Sequence, residues 1–264
     1  MEDFSVYNGE GTELRKAQMR MVDILMEIDK VCRRHDIPYW LDFGTLLGAV
    51  RHGGFIPWDD DLDITIFKKD NRRLMSYLEK ELPQQYYVFH ERTKTGYFRV
   101  VDRKSMVLRP GQDESAFDLE GNGLWVDIFN VEPATKAFKT IMNGIHGKAF
   151  RRIKRQINDG AAKRLASYLV YPFTSLTIAL YRLFHLGGCK GRYIYNIPNF
   201  VVPQMFSQRH ISQILPTSDI EFEGRMFKCP HDTDAFLKET YKDYMTVPPK
   251  EKRQVHTVFV KVLE

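Results

Sequence analysis

The chain has 264 residues, 43% of them hydrophobic and 13% aromatic, which supplies enough apolar side chains for a buried core and excludes a disordered protein. Its net charge is +5, and Cys32, Cys189 and Cys229 are widely spaced without a Cys-x-x-Cys pair, which excludes a disulfide framework and a cysteine-based zinc site. The first residues lack a basic region followed by an apolar one, so we expect no secretory signal and a cytoplasmic protein.

The first half of the chain alternates helical and extended patterns. Apolar residues at helical spacing predict a long helix over residues 12–35, with Thr12 as its N-cap, and a second helix over residues 71–81. Apolar runs between turn residues predict the strands, which lie at residues 39–43, 55–67, 86–90, 97–102, 107–110 and 124–129.

An acidic run interrupts the second of these strands. In a strand of period two, Asp59, Asp61 and Asp63 point to one face. Carboxylates side by side repel one another unless a hard cation lies between them. A solvated acidic loop is the alternative, but apolar residues flank the run on both sides, which favours a divalent metal site, Mg²⁺ or Mn²⁺.

A glycine-threonine turn, Gly44-Thr45, precedes the acidic run and opens a short helix. The free backbone N–H groups at the start of a helix suit a phosphate, although an ordinary helix cap has the same sequence pattern. A cation site that faces a phosphate site predicts a metal-dependent phosphotransferase.

Asp127 is the remaining candidate acid, in the apolar run Leu-Trp-Val-Asp-Ile-Phe. A carboxylate buried without a partner is costly, so we expect a metal or a cationic neighbour beside it. It is either a structural hydrogen-bond acceptor at a strand end or a third carboxylate of the same site. The second interpretation is favoured, because clustered acids are typical of functional sites.

Together these motifs resemble the LicD family of phosphocholine transferases, a branch of the nucleotidyltransferase-like superfamily that is related to fukutin and fukutin-related protein. The matching run comprises Gly44-Thr45-Leu46-Leu47-Gly48, Arg51-His52, Ile56-Pro57-Trp58-Asp59 and Asp61-x-Asp63, and the strand around Asp127 is also similar. Near the carboxyl end, Tyr241, the pair Pro248-Pro249 and His256 resemble the C-terminal signature of the family, with Lys242 in place of its usual glycine.

The resemblance implies an α/β (α+β) nucleotidyltransferase-like fold: a small mixed sheet that carries the Asp-x-Asp strand, flanked by helices and with a helical insertion. It implies transfer of phosphocholine from CDP-choline to a sugar hydroxyl of a teichoic acid or lipopolysaccharide glycan, often as a lipid-linked precursor. The implied metal-binding and catalytic residues are Asp61, Asp63 and Asp127. The residues implied to bind the donor are Gly44, Thr45, Arg51, Trp58, Asp59 and His256.

Three alternatives stay open. The donor could be CDP-ribitol or CDP-glycerol, or the enzyme could be a generic nucleotidyltransferase. A non-enzymatic nucleic-acid or membrane-binding protein would leave the acidic run unexplained, and no nucleic-acid partner is expected. A choline donor would need aromatic faces for its trimethylammonium group. Trp40, Trp58 and Trp125 border the motif strands, either as core residues or as parts of such a cage.

The domain organisation is predicted as a catalytic core at residues 1–135, a helical insertion at 136–200, and a C-terminal part at 201–264 that completes the catalytic domain. Within the insertion, residues 148–164 carry a net charge of +6 and residues 165–181 carry no charge. The uncharged stretch is too short to span a membrane. It is either a buried helix pair or a segment that lies on the inner face of the cell membrane, guided by the basic residues before it.

Overall fold

The computed structural model describes residues 3–90, 97–108, 122–135, 176, 179–180, 183, 191–195, 209–253 and 259–262. The strands in these ranges are β1 (Tyr39–Leu41), β2 (Asp63–Phe67), β3 (Tyr86–Phe89), β4 (Phe98–Asp102), β5 (Ser105–Leu108), β6 (Trp125–Pro133), β7 (Arg192–Tyr195), β8 (Arg209–His210), β9 (Ser218–Phe222), β10 (Arg225–Cys229) and β11 (Phe259–Val262). The helices are α1 (Ser5–Asn8), α2 (Glu13–Arg34), α3 (Phe43–His52), α4 (Asn71–Glu81), α5 (Ile211–Ile214) and α6 (Thr233–Tyr241).

The main sheet has seven of the described strands, in the order β1–β2–β6–β4–β3, with β7 and β8 continuing from β6. The neighbours β2 and β6 run parallel, and the other strand pairs of this sheet run antiparallel. The sheet is therefore mixed and helices flank it, which confirms the predicted fold class. Two smaller pairings, β9 with β10 and β5 with β11, complete the strand contacts.

The long helix α2 packs its apolar side against the sheet and α4. Its buried residues recur at helical spacing, with Met21, Leu25 and Ile28 at most 1% exposed. Burial of each such side chain stabilises the fold by about 1.5–3 kcal/mol. The hydroxyl of Thr12 accepts a hydrogen bond from the backbone N–H of Arg15 at 3.2 Å, so the predicted N-cap is confirmed.

Helix α4 has the bounds that the sequence predicts, but the strands around the acidic run differ. β2 begins only at Asp63, so the prediction that Asp59 and Asp61 lie inside the strand is wrong. A turn in which the N–H of Asp59 donates to the carbonyl of Ile56 bends the chain here, and the Asp59 carbonyl accepts from the Gln18 side chain at 2.9 Å. Asp59 therefore lies in a loop, and its backbone is held by a side chain of helix α2.

The beginning of α3 also differs from its prediction. β1 ends at Leu41, two residues early, because Asp42 caps α3 and Phe43 begins it. Phe43 has φ 44°, a left-handed conformation that is strained for a residue with a side chain. The strand and the helix are therefore joined by one tight turn.

Described segments beyond residue 190 contact the earlier part of the fold. β7, which falls in the predicted insertion, pairs with β6. In the turn between β9 and β10, the Glu223 carboxylate binds Arg15 of α2 at 2.7 Å. Most of the predicted insertion, with its basic segment, and His256 lie outside the described residues, so the domain boundaries stay predictions. Among the helices that the structure describes, none is long and apolar enough to cross a membrane.

Candidate functional site

A row of three charged side chains crosses the centre of the main sheet. In the parallel pair β2–β6, Asp63 lies opposite Asp127, and in the antiparallel pair β4–β6, Arg99 lies opposite Asp127. Residues paired across neighbouring strands share a face, so the three side chains lie side by side. Asp63 and Asp127 are only 8% and 7% exposed, which makes this a buried cluster of charges.

The loop before β2 adds further carboxylates to the row. Burial raises the pKa of Asp59 to about 8, and the nearby carboxylates of Asp61 and Asp60 add to the effect. Burial likewise raises the pKa of Asp63 well above its ordinary value, with further contributions from Asp61, Asp127, Asp59 and Asp42. The predicted acids are therefore brought together by the fold, although only Asp63 and Asp127 belong to strands.

Asp127 has a cationic neighbour. Its Oδ1 accepts a hydrogen bond from Arg99 Nε at 2.5 Å, and its Oδ2 accepts one from Trp125 Nε1 at 2.9 Å. Burial raises the pKa of Asp127, while Arg99 and the indole of Trp125 oppose that shift. The sequence predicted a metal or a cationic neighbour, and the structure supplies a guanidinium. Arg99 was missed, and its one signal was an arginine between apolar residues of the predicted strand at 97–102.

The carboxylates fit a hard divalent cation in their chemistry. Mg²⁺ and Mn²⁺ prefer oxygen ligands, and a cation would relieve the repulsion that raises the pKa of Asp59 and Asp63. Within the part of the chain that the structure describes, no group of three or more acidic, histidine or cysteine side chains is arranged around a common ion position. Metal binding by Asp61, Asp63 and Asp127 therefore stays a prediction.

Asp42 caps the start of α3, and its carboxylate accepts several hydrogen bonds. It accepts hydrogen bonds from the Phe43 N–H at 2.7 Å, the Thr65 hydroxyl at 2.7 Å and the Trp40 indole at 3.2 Å. The hydroxyl of Thr45 accepts from the N–H of Asp63 at 2.9 Å. Thr45 thus fixes the first residue of β2, a positioning contact that ties the helix to the acidic strand.

Two glycines of α3 are required by close approach. A Cβ atom on Gly44 would lie 2.6 Å from the Asp59 Oδ2 atom, and one on Gly48 would lie 2.4 Å from the carbonyl oxygen of Gly54. Gly44 therefore makes room for an acidic side chain at the helix start, where a donor phosphate is predicted. The predicted phosphate contact of Gly44 and Thr45 stays a prediction.

Arg51 and Trp58 have other partners in this structure. Arg51 Nη1 donates to the carbonyl of Tyr244 at 3.0 Å, and so holds the segment that follows α6. The Trp58 ring is 6% exposed and packs against Tyr7, with the guanidinium of Arg253 4.6 Å from its centroid. Their predicted contacts with the donor remain untested. Of the three tryptophans, Trp40 is fully buried in the core, and only Trp125 directly contacts the row of charges.

Tyr241, the tyrosine of the predicted C-terminal signature, is influenced by the same acids. The residue is 37% exposed, but partial burial, and then the carboxylates of Asp42, Asp63, Asp59 and Asp61, raise the pKa of its hydroxyl. The next residue, Lys242, has φ 61°, a conformation that favours glycine. This positive φ explains why glycine is usual at this position of the signature.

Comparison with known proteins agrees with this geometry. Residues 36–159 match the family described as LicD/FKTN/FKRP, nucleotidyltransferase domain. The chain contains a LicD-family nucleotidyltransferase domain. The LicD match spans β1 to β6, and so includes Arg99 and each of the acids described above.

Two kinds of relative support the LicD assignment. The lipopolysaccharide cholinephosphotransferase LicD of Haemophilus influenzae is 24% identical over 280 residues, which cover 93% of this chain and 96% of that protein. The human ribitol 5-phosphate transferase FKRP is 56% identical over 34 residues, 13% of this chain and 7% of that protein. The predicted relation to LicD proteins and to fukutin-related protein is confirmed, as is the prediction of a transferase enzyme.

Proposed function

We propose that this LicD-family transferase moves phosphocholine from CDP-choline to a sugar hydroxyl of a cell-surface glycan, a teichoic acid or lipopolysaccharide precursor. The observation that carries the proposal is the buried row of Asp63, Asp127 and Arg99, with Asp59 and Asp61 beside it. Similarity over nearly the whole length of a lipopolysaccharide cholinephosphotransferase supports the choice of donor and acceptor.

In the proposed reaction the acceptor oxygen forms a bond to the phosphorus of the phosphocholine group. The bond from that phosphorus to the bridging oxygen breaks, CMP leaves with the electron pair, and the hydroxyl proton is released. Such transfers need mainly positioning and neutralisation of charge, so no covalent nucleophile is required.

We assign positioning and charge neutralisation to different residues of the site. Asp61 and Asp63 would hold a divalent ion, which neutralises phosphate oxygens when bound. Asp127, fixed by the indole of Trp125, would orient the acceptor hydroxyl and receive its proton. The hydroxyl of Tyr241, kept protonated by its surroundings, would donate a hydrogen bond to an oxygen in the site.

Incubation of the protein with CDP-choline, CDP-ribitol and CDP-glycerol in turn tests this proposal. We expect purified protein with Mg²⁺ to release CMP from CDP-choline and to label a glycan acceptor, and we expect Asp63→Asn to abolish both. Asp219→Asn is a matched control, since Asp219 pairs with Arg33 and Lys228 far along the chain from the acidic row. Release of CMP only from CDP-ribitol or CDP-glycerol would contradict the choline proposal.

That alternative donor has one observation in its favour. Over 34 residues the chain is 56% identical to ribitol 5-phosphate transferase FKRP, a match that covers only 7% of that protein. The whole-length match favours choline over the alditol donors.

We also propose that the enzyme works at the inner face of an anionic membrane, where a lipid-linked acceptor would lie. Residues 148–164 carry a net charge of +6. Beyond them, Leu176, Leu180 and Leu183 are helical, fall at the spacing of one helix face, and are 56%, 45% and 67% exposed. Apolar residues on one helix face next to basic residues are typical of segments that lie in a membrane interface.

A further inference from the structure

Arg99 is the cation at the centre of the acidic row, and neither the motifs nor the comparisons assign it a role. Its guanidinium contacts Asp127 through two nitrogens: Nε lies 2.5 Å from Oδ1 and Nη2 lies 3.4 Å from Oδ2. Its face lies 4.4 Å from the centroid of the Trp125 ring and 5.6 Å from that of Tyr97. Two aromatic side chains therefore hold a charged, fork-shaped donor group beside the carboxylates.

The guanidinium of Arg99 can bind either a carboxylate or a phosphate. A guanidinium fork matches a carboxylate and a phosphate equally well in geometry. The Arg99 side chain is 19% exposed, so part of it is open to solvent. Stacking on Trp125 restrains the plane of the guanidinium, but it does not restrict which anion the N–H groups meet.

The start of α3 lies across the same face from Arg99. The Phe43 ring packs against Phe129 at 5.1 Å, and Phe129 packs against Tyr97 at 4.8 Å. Phe129 follows Asp127 by two residues in β6, so it shares the face of the acidic row. These ring contacts connect the start of α3 to the strand of Arg99 along the face that carries the carboxylates, an arrangement that suits a diphosphate.

We propose that Arg99 is a donor-binding residue that exchanges partners: it binds Asp127 in the free protein and a phosphate oxygen of the CDP-linked donor in the complex. The inference rests on the proposed function and names the residue that receives the diphosphate. When Arg99 leaves Asp127, that carboxylate becomes available to a divalent ion or an acceptor hydroxyl. Occupation of the site by cation and by donor are therefore expected to assist each other.

Replacement of Arg99 then has two effects of opposite sign. In Arg99→Gln, no guanidinium competes with a metal ion for the Asp127 carboxylate, so Mn²⁺ alone should bind several-fold more tightly. A lost charge-assisted hydrogen bond should weaken binding of the diphosphate about ten- to a hundred-fold. Arg99→Lys keeps the charge without the fork and should lie between wild type and Arg99→Gln for both ligands.

The experiment measures binding, and needs no turnover. Binding of Mn²⁺ is followed by electron paramagnetic resonance, and binding of CDP and of cytidine by calorimetry at saturating Mn²⁺. Cytidine lacks phosphates, so its affinity should be unchanged in both variants. Arg103→Gln is the matched control, because Arg103 also stacks on an aromatic ring, 4.1 Å from the centroid of Tyr87, but is exposed and outside the acidic row.

Tighter Mn²⁺ binding together with weaker CDP binding in Arg99→Gln is the expected result. Unchanged CDP binding in that variant, or a parallel loss of Mn²⁺, CDP and cytidine binding, would overturn the exchange and leave Arg99 a structural partner of Asp127. If Arg99→Gln does not fold, the same criteria apply to Arg99→Lys. A wild-type protein that binds Mn²⁺ but neither CDP nor cytidine would instead count against the proposed function itself.

Discussion

Buried carboxylates occur in two contrasting regions of this molecule. Asp102, at the end of β4, is fully buried, and it meets Arg20 at 2.7 Å and the N–H of Lys104 at 3.0 Å. Asp59 and Asp63 are surrounded mainly by other carboxylates, and burial raises the pKa of both. Burial alone therefore does not identify a functional site here. Burial of a carboxylate beside other carboxylates does identify one, because the folded protein keeps a repulsion between like charges that a bound cation would relieve.

The largest expected effect on activity comes from replacing an acid of the row. Asp63→Asn should lower transfer activity by about 10²–10³-fold or more, since an ion-binding carboxylate is lost, and should slightly raise thermal stability in metal-free buffer because repulsion is relieved. The measurements are CMP release at saturating Mg²⁺ and thermal unfolding with a chelator. Asp61→Asn should behave alike, and wild-type activity in either variant would contradict the metal site.

Asp102→Asn should show the reverse pattern. It leaves Arg20 without its carboxylate and should lower the free energy of unfolding by about 3 kcal/mol. Activity per folded molecule should be retained, as judged by CMP release normalised to the folded fraction. A selective loss of activity without loss of stability would show that Asp102 belongs to the site and that the contrast between the two regions is wrong.

Asp127 sharpens the comparison, because it lies in the acidic row but has a cationic partner. Asp127→Asn should be about as inactive as Asp63→Asn. Unlike Asp63→Asn, it should not gain stability, since Arg99 loses its ion pair at 2.5 Å. Denaturant unfolding and CMP release on the same preparations separate these outcomes. A variant that is less stable but fully active per folded molecule would make Asp127 structural.

His52 offers a smaller effect, on the pH dependence of stability. Burial, with the charge of Arg51, lowers the pKa of His52 from its ordinary value of 6.5 to about 4. The folded state thus binds fewer protons than the unfolded state between these values, and stability falls as the pH drops from 6.5 towards 4. His52→Gln should unfold with a shallower pH dependence in this window. Identical pH slopes for variant and wild type would refute the assignment.

The smallest and most salt-dependent effect concerns the basic segment. Each basic residue near an anionic surface contributes about 1 kcal/mol, so the protein should sediment with anionic vesicles at low salt and detach as salt rises. Lys154→Glu with Arg155→Glu should weaken sedimentation at least about tenfold. The matched control reverses Lys16 and Lys30, two exposed lysines of α2. Absence of wild-type sedimentation with anionic vesicles at low salt would exclude membrane docking.

Local pattern could predict the acids, the long helix α2 and the bounds of α4. It could not predict Arg99 as the partner of Asp127, because that contact depends on the register between strands 28 residues apart. It also placed Asp59 in a strand, since the hydrogen bond from Gln18, 41 residues away, has no local signal. The four acids were predictable from type and spacing, whereas their charge partners depend on tertiary contacts.

Thermal unfolding in a titration of Mn²⁺ tests most directly whether the carboxylates around Asp63 bind a divalent cation. A ligand that binds only the folded state stabilises it by about 2.7 kcal/mol at a hundred times its dissociation constant. We predict that Mn²⁺ raises the unfolding temperature of the wild type and of Asp219→Asn in a saturable manner, and that Asp63→Asn does not respond. An equal rise in wild type and Asp63→Asn, or no rise in the wild type, would contradict the account.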